Sequence, residues 1–478
     1  MKKLFCFALA LLMLLPMVAC GKKEAAAPAA QSGPTFQGLH VGYYREKIMP
    51  DMNEDIPMGG YGNTEHRLAQ DFLDYLYITC VAFTDGDQTV LMMTQDLISS
   101  NSTLVEQIRE GINAKTGIPH ENILIGATHT HSTPDQSSTS YPGIVKFRET
   151  VVEMGISAGL KALDDRAPAT MYGGYIEVPG MNFIRHYEMN DGTYYGSNFG
   201  STASGFKCHA ADNDPTMGLL KIDREGDKKD ILLMNWQAHP CFTGGIDKYT
   251  ISADYIGQVR MNVEAQTDML FAFYLGAAGN QNTNSLMKED KHQLENDTYG
   301  QALAKAAIEA LPTLEKIEGS GIVTSYKDVE YELNREDIDK ITQAQEVYAL
   351  YKSTGDRTEG NKLANQYGLS SVYHASAVVS RSKNQPGDTR TFRIHATRVG
   401  NFAFINAPYE MFAASSVAIR QASPYKTTFV VTCSNSAQGY FPTLEAFAYG
   451  CYESFTTPYA RGIAEHTVEE FITLLKGL

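Results

Sequence analysis

The chain has no Cys-x-x-Cys pair, no Gly-x-Ser-x-Gly at a strand-to-helix elbow (the match Gly155-Ile-Ser-Ala-Gly159 falls inside an expected helix) and no His-Glu-x-x-His sequence. The first absence argues against a cysteine-rich zinc knot. The second disfavours a serine hydrolase of the elbow type, and the third a peptidase whose zinc sits on one helix. Basic clusters are missing as well, and the formal net charge is −15, which argues against a nucleic-acid partner. No internal repeat is present, so a solenoid or propeller is not indicated. Cysteine is scarce: 7 in 478 residues. Cys6 and Cys20 lie in the amino-terminal leader. The remaining Cys80, Cys208, Cys241, Cys433 and Cys451 are odd in number, which does not suit a disulfide framework. One pair is able to form, without the sequence saying which; as a group they are expected to be small buried apolar residues.

The amino terminus carries an address rather than a fold. Met1-Lys-Lys is followed by an apolar run from Leu4 to Val18 and then Met17-Val-Ala-Cys20 before Gly21. This resembles a bacterial lipoprotein signal, residues 1–19, in which Cys20 becomes the lipidated first residue. The alternatives are an ordinary cleaved signal or a membrane helix, but the run is short for a span. Residues 20–36 are rich in Lys, Ala, Pro and Ser, as a flexible tether is. The expected location is therefore the bacterial cell envelope, outside the cytoplasm, with membrane attachment through Cys20.

Beyond the tether the composition is globular, 43% hydrophobic and 20% charged. Length alone suggests two domains. No break is visible, and 37–478 reads as a single large catalytic domain. Ala344 to Asp388 is the least regular part and reads as an insertion with helical stretches. Strand and helix patterns alternate elsewhere. Leu76–Thr84 and Thr89–Thr94 read as paired strands around Asp85-Gly86. Met217–Ile222 pairs with Ile231–Gln237, and Phe392–Val399 with Phe402–Ile405. Met269–Leu275 and Thr427–Thr432 read as further strands. Helices are expected over Thr103–Lys115, Val145–Leu163, Ala253–Gln266 with Ser252 as cap, Tyr299–Leu311, after Pro408, and Ile463–Leu475. Hairpins and crossovers together indicate an α/β fold with a layered mixed β-sheet core and flanking helices.

Chemistry gathers where apolar strands end. The run Asn122–Ala127 leads into Thr128-His-Thr-His-Ser132. Side chains two apart on a strand share a face, so His129 and His131 should project together. Neutral imidazole is the commonest protein ligand for zinc. Taken alone the pair equally suits packing on a half-exposed strand. Ile231–Gln237 likewise leads to His239-Pro240, and Phe402-Ala-Phe-Ile-Asn leads to Ala407-Pro-Tyr-Glu410. Each has a bland reading: His239 as a satisfied core histidine, Glu410 as a first-turn helix acid. Asp96, at the end of Thr89–Thr94, is placed either to hydrogen-bond a ligand imidazole or to act as a turn acid.

These segments, in order, resemble the catalytic domain of neutral/alkaline (non-lysosomal) ceramidases. The resemblance runs from about Leu39 to the C-terminus. It rests on Met58-Gly-Gly-Tyr-Gly, Thr128-His-Thr-His-Ser, Asn182 with Arg185, Asn235 to Pro240 and Gly276-Ala-Ala-Gly. It continues through Ala407-Pro-Tyr-Glu410, Gly439-Tyr-Phe-Pro-Thr and Tyr452-Glu453. It implies a hydrolase with one Zn2+ that cleaves an N-acyl amide, ceramide in the family. It implies His129, His239, Glu410 and Tyr440 as zinc ligands. His131 would orient substrate or donate a proton, Arg185 matches the family's site arginine, and Tyr452 its oxyanion-stabilising tyrosine. The Glu410–Tyr440 interval is shorter than in the family, which keeps Tyr449 and Tyr452 as alternatives. The family's Gly-Asp-x-Ser-Pro-Asn segment is here Gly276-Ala-Ala-Gly-Asn-Gln-Asn282, with Asn280 in the serine's place. The β-domain that follows in longer ceramidases is not expected.

The chemistry is coherent. An amide is a poor electrophile with a poor leaving group. Zinc lowers the pKa of a bound water to ~7 and polarises the carbonyl. A tyrosine or arginine steadies the oxyanion, and a histidine protonates the departing nitrogen. Rival readings are a metallohydrolase for another N-acyl or ester substrate, and an inactive ligand-binding lipoprotein.

Overall fold

The computed structural model describes residues 36–61, 67–138, 140–198, 203–290 and 294–478. The signal peptide, Cys20 and nearly all of the tether lie outside them; Phe36 already opens a strand. Among the described residues no helix is long and apolar enough to cross a membrane.

Two mixed sheets stack on each other between helical layers. The larger runs Leu270–Leu275, Ile231–Trp236, Thr216–Arg224, Ala167–Glu177, Phe36–Lys47, Tyr77–Gly86, Gln88–Gln95, Ile123–Ala127 in spatial order. Its neighbours pair antiparallel except at the two ends. There Ile231–Trp236 runs parallel to Leu270–Leu275, and Gln88–Gln95 parallel to Ile123–Ala127. The smaller sheet is Ile322–Glu332, Thr389–Val399, Phe402–Asn406, Thr427–Val431, its last pair parallel. Helices cover the outer face of each sheet and the other sheet covers its inner face, so the parallel strands are largely apolar. Ile123–Ala127, Ile231–Trp236, Phe402–Asn406 and Thr427–Val431 are buried along their whole length.

The inter-sheet core joins Val41, Phe83 and Leu233 from one sheet to Phe402, Phe404 and Phe429 from the other. Ser102–Thr116 and Pro142–Asp164 pack Ile108, Ile112, Phe147 and Val151 on the outer face of one half of the large sheet. Tyr255–Thr267 and Asn296–Ala310 cover its other half with Val259, Tyr299 and Leu303. Ala413–Ala422 and Ile463–Gly477 cover the small sheet with Ile419, Phe471 and Leu475. The layered α/β expectation holds, resolved into helix, sheet, sheet, helix. The stretch expected as an insertion forms three helices, Ile341–Thr354, Arg357–Gln366 and Val372–Arg381, on a small core of Val347, Leu369 and Val378. The five cysteines among the described residues are free.

Three local expectations need correction. Ser252 does not cap the helix after it: Asp254, at φ 58, accepts from the Tyr255 amide at 2.9 Å, and Ser252 Oγ donates to Asp74 instead. The acid after Pro408 is not a first-turn helix residue. Glu410–Met411 is a short strand beside Tyr440–Phe441, and the helix starts at Ala413. The third concerns the histidine pair.

Candidate metal centre

The strand before the histidines stops at Ala127, and His129 adopts a left-handed conformation, φ 68. His129 and His131 therefore do not share a strand face. They meet because the chain turns: the amides of Thr128 and His129 donate to the carbonyls of Gln95 and Leu97, and that of His131 to Pro240. The last of these ties the His-x-His loop to the loop carrying His239. The His239 amide in turn donates to Gln281, and the Glu410 amide to Gly439. Gly60, at φ +99, fits against His131 because it has no side chain; a Cβ there would lie 2.9 Å from His131 Nδ1.

These loops bring three donor atoms together. His129 Nε2 lies 3.2 Å from His239 Nε2, and Glu410 Oε2 lies 3.1 Å from the first and 3.4 Å from the second. The opposite ring nitrogens fix the tautomers. His129 Nδ1 is 2.6 Å from the Ile98 carbonyl and His239 Nδ1 is 2.7 Å from that of Ala278. A carbonyl only accepts, so each Nδ1 carries the hydrogen and each Nε2 presents a lone pair. Arg185 Nη1 also approaches His239 Nδ1, at 3.3 Å, but the shorter carbonyl bond decides the tautomer. Glu410 Oε2 has no hydrogen-bond donor among the described residues although its side chain is only 16% exposed. Three lone pairs facing each other inside a protein repel unless a cation lies between them. A tetrahedron with arms of about 2.0–2.1 Å, the range of zinc bonds to nitrogen and oxygen, has edges of about 3.3–3.4 Å. The donor set fits zinc.

His131 differs. Its Nε2 faces the same space, 3.4 Å from His129 Nε2, but its buried Nδ1 has no partner among the described residues. Metal-bound histidines almost always donate the second nitrogen to an acceptor. His129 and His239 do so; His131 does not. Burial, with His129 and His239 alongside, holds the His131 ring well below the usual histidine range. Burial and then Arg185 push His239 down to about 4.

Arg185 is the hub of the surrounding shell. Its Nε donates to Glu453 Oε1 at 2.8 Å and its Nη2 to the same oxygen and, at 3.3 Å, to the Tyr440 hydroxyl. Tyr440 sits opposite Glu410 in the register of the two short strands. The Tyr452 ring stands between those of Tyr440 and Tyr373, 5.8 Å from each. Tyr449, one of the alternatives to Tyr440, is turned elsewhere; its hydroxyl donates to the Ala210 carbonyl. Asp96 does not reach a histidine: both its oxygens accept from Arg260 Nη2, at 2.9 and 2.8 Å. Asn280 Oδ1 accepts from the Ala413 amide, and its carbonyl accepts from the Arg185 amide. Asn182 ties the Asp214 and Gln237 carbonyls together, and Asn235 those of Tyr274 and Val430.

Sequence reasoning gave no role to Glu453 or His186. Glu453 is fully buried and also binds His186 Nε2 at 2.8 Å and Asn198 Nδ2 at 2.6 Å. Its position next to Tyr452, and that of His186 next to Arg185, were the signals available. His186, Cys451 and Glu453 form a second group with ligand-type atoms close together. Glu453 spends both oxygens on Arg185, His186 and Asn198, so this group reads as scaffold. A cavity of about 730 Å³ opens over His131, His239, Arg185, Tyr440 and Tyr452, with Tyr351 and Tyr373 from the inserted helices on one wall.

The fold has counterparts among solved structures. Neutral ceramidase from Pseudomonas aeruginosa superposes with a TM-score of 0.69 at 16% identity, over 92% of this chain and 74% of that one. The chain has the neutral ceramidase fold. A ceramidase complexed with C2 superposes at TM-score 0.67 and 16% identity, over 92% of this chain and 75% of the other. No family model matches the chain, and no curated protein matches it. The ceramidase fold thus spans nearly the whole chain.

Proposed function

We propose that this protein is a zinc-dependent hydrolase of N-acyl amides. The observation that carries the reading is the convergence of His129 Nε2, His239 Nε2 and Glu410 Oε2 at 3.1–3.4 Å, in a chain with the ceramidase fold. His129, His239 and Glu410 would hold the ion, with Tyr440 as the fourth protein ligand. When bound, zinc supplies a Lewis acid and water acidified to about pKa 7.

The chain's own residues do the rest. The Ile98 and Ala278 carbonyls orient the two ligand rings. Arg185, anchored by Glu453, holds the Tyr440 hydroxyl in place. Tyr452, on the cavity wall, donates its hydroxyl hydrogen to the developing oxyanion. His131, neutral at rest with Nε2 facing the site, takes a proton from the attacking water and passes it to the departing nitrogen as the C–N bond breaks. The product is a carboxylate and a free amine; water supplies the oxygen.

The same reading extends to location: a lipid on Cys20 holds the domain at a membrane surface outside the cytoplasm, by the tether of residues 20–36. His129→Ala and His239→Ala should each abolish amide hydrolysis while far-UV circular dichroism stays that of the wild type. Full turnover in either variant overturns the site. Release of a Cys20→Ser variant from membranes tests the anchor.

A further inference from the structure

The cavity above the three histidines has a chemical character of its own. None of the residues lining it, among those described, is Asp or Glu, although the chain as a whole is strongly acidic. Arg67, Lys248 and Arg357 line it together with Arg185, and Arg185 is bound by the Glu453 carboxylate. Arg67 is 5% exposed. Its Nε and Nη2 donate to the Lys248 and Gly59 carbonyls at 3.0 Å, and its Nη1 has no partner among the described residues. Among the described residues no carboxylate forms an ion pair with it. Its guanidinium lies 4.8 Å from the ring centre of Tyr61, and that ring lies 5.1 Å from the ring of His131. A buried guanidinium that meets no anion among the described residues thus sits one aromatic ring away from the proton donor. Taking such a charge out of water is costly unless an anion meets it.

The aliphatic content points the same way. Among the described residues Leu286 is the one aliphatic side chain in the lining; the rest is tyrosine, histidine, cysteine, amide, hydroxyl, glycine and cation. Each methylene buried in apolar surroundings contributes about 0.8 kcal/mol. A lipid with two long chains finds little such surroundings here. A volume of about 730 Å³ is that of a small-molecule site.

We infer that the substrate is a small N-acyl compound bearing a carboxylate, an N-acyl amino acid, whose carboxylate is received by Arg67 and Lys248. This inference rests on the amide-hydrolase reading for its chemistry and on the cation-lined cavity for its specificity. The test uses the purified chain with N-hexanoylglycine and N-hexanoyl-γ-aminobutyrate, each against its uncharged carboxamide, and ceramide in detergent micelles. At least one acid should exceed its carboxamide in kcat/KM by about tenfold, the worth of one charged hydrogen bond. The advantage should shrink toward unity in Arg67→Gln and Lys248→Met, through KM. Lys248 is exposed, so its variant stays informative if Arg67→Gln does not fold. Calorimetric binding of the same acids and carboxamides gives a readout independent of turnover. Charge-selective binding that both substitutions weaken supports the inference even if no amide is hydrolysed, an outcome that removes the hydrolase reading alone. Equal binding of acid and carboxamide overturns the inference, as does ceramide turnover above that of every acid, while the hydrolase reading stands.

Discussion

Arg185 and Glu453 meet inside the protein, 4% and 0% exposed, and the Tyr440 hydroxyl takes its hydrogen bond from that same arginine. Glu453 is therefore what keeps Arg185 pointed at the site. Removing one partner of a buried ion pair leaves the other uncompensated, at a cost of about 3–5 kcal/mol. Glu453→Gln should lose stability of that order in denaturant unfolding and lose turnover as well. A variant with wild-type stability would show that the pair does not hold the site.

His186 makes the stability of the same network depend on pH. Burial favours its neutral ring, but the Glu453 carboxylate outweighs this and raises it from 6.5 to about 10. The folded state therefore binds this proton more tightly than the unfolded chain. The stabilisation is fully present below about pH 6.5 and is lost as pH rises through about 10. Unfolding followed by the fluorescence of Trp236, the single buried tryptophan, should show stability falling between these limits. His186→Gln should flatten that slope; an unchanged slope would assign it to other groups.

His131 and the ligand histidines separate by their unused nitrogens. His131→Ala should retain most of the zinc but lower turnover about 10²–10⁴-fold, the usual worth of a general acid. Zinc content measured alongside kcat decides this. Loss of zinc in step with activity would make His131 a ligand.

Asp96 gives a control. It is fully buried and holds Arg260 with both oxygens, remote in role from the histidines. Asp96→Asn should be destabilised by about 3–5 kcal/mol yet bind zinc with wild-type stoichiometry. Zinc loss without loss of stability would restore it as a partner of a ligand imidazole.

Much of this was legible in the sequence, and the misses have physical causes. Buried parallel strands such as Ile123–Ala127 and Ile231–Trp236 announce themselves as unbroken apolar runs. So do the histidines at their ends. Ile322–Glu332 and Ala167–Glu177 were not visible. The first is largely exposed and charged, and the second carries Pro168, Gly173 and Gly174, so neither shows an apolar run. The His-x-His rings converge as expected but for a different reason, since a left-handed turn at His129 and not a strand face brings them together. Asp96 was left open between a histidine partner and a turn acid because its partner, Arg260, lies 164 residues away. Glu453 had no local pattern to mark it; only the fold brings it to Arg185. The tyrosine wall from Tyr351 and Tyr373 was hidden in a stretch whose helices look irregular because their core is small.

The most direct measurement is elemental analysis of the purified protein, coupled to removal and restoration of the metal. One zinc per chain should be found. Chelation should end hydrolysis of N-acyl amides, and added zinc should restore it, with His239→Ala binding no zinc at all. Undiminished hydrolysis by metal-free protein, or full zinc content in His239→Ala, would contradict the account.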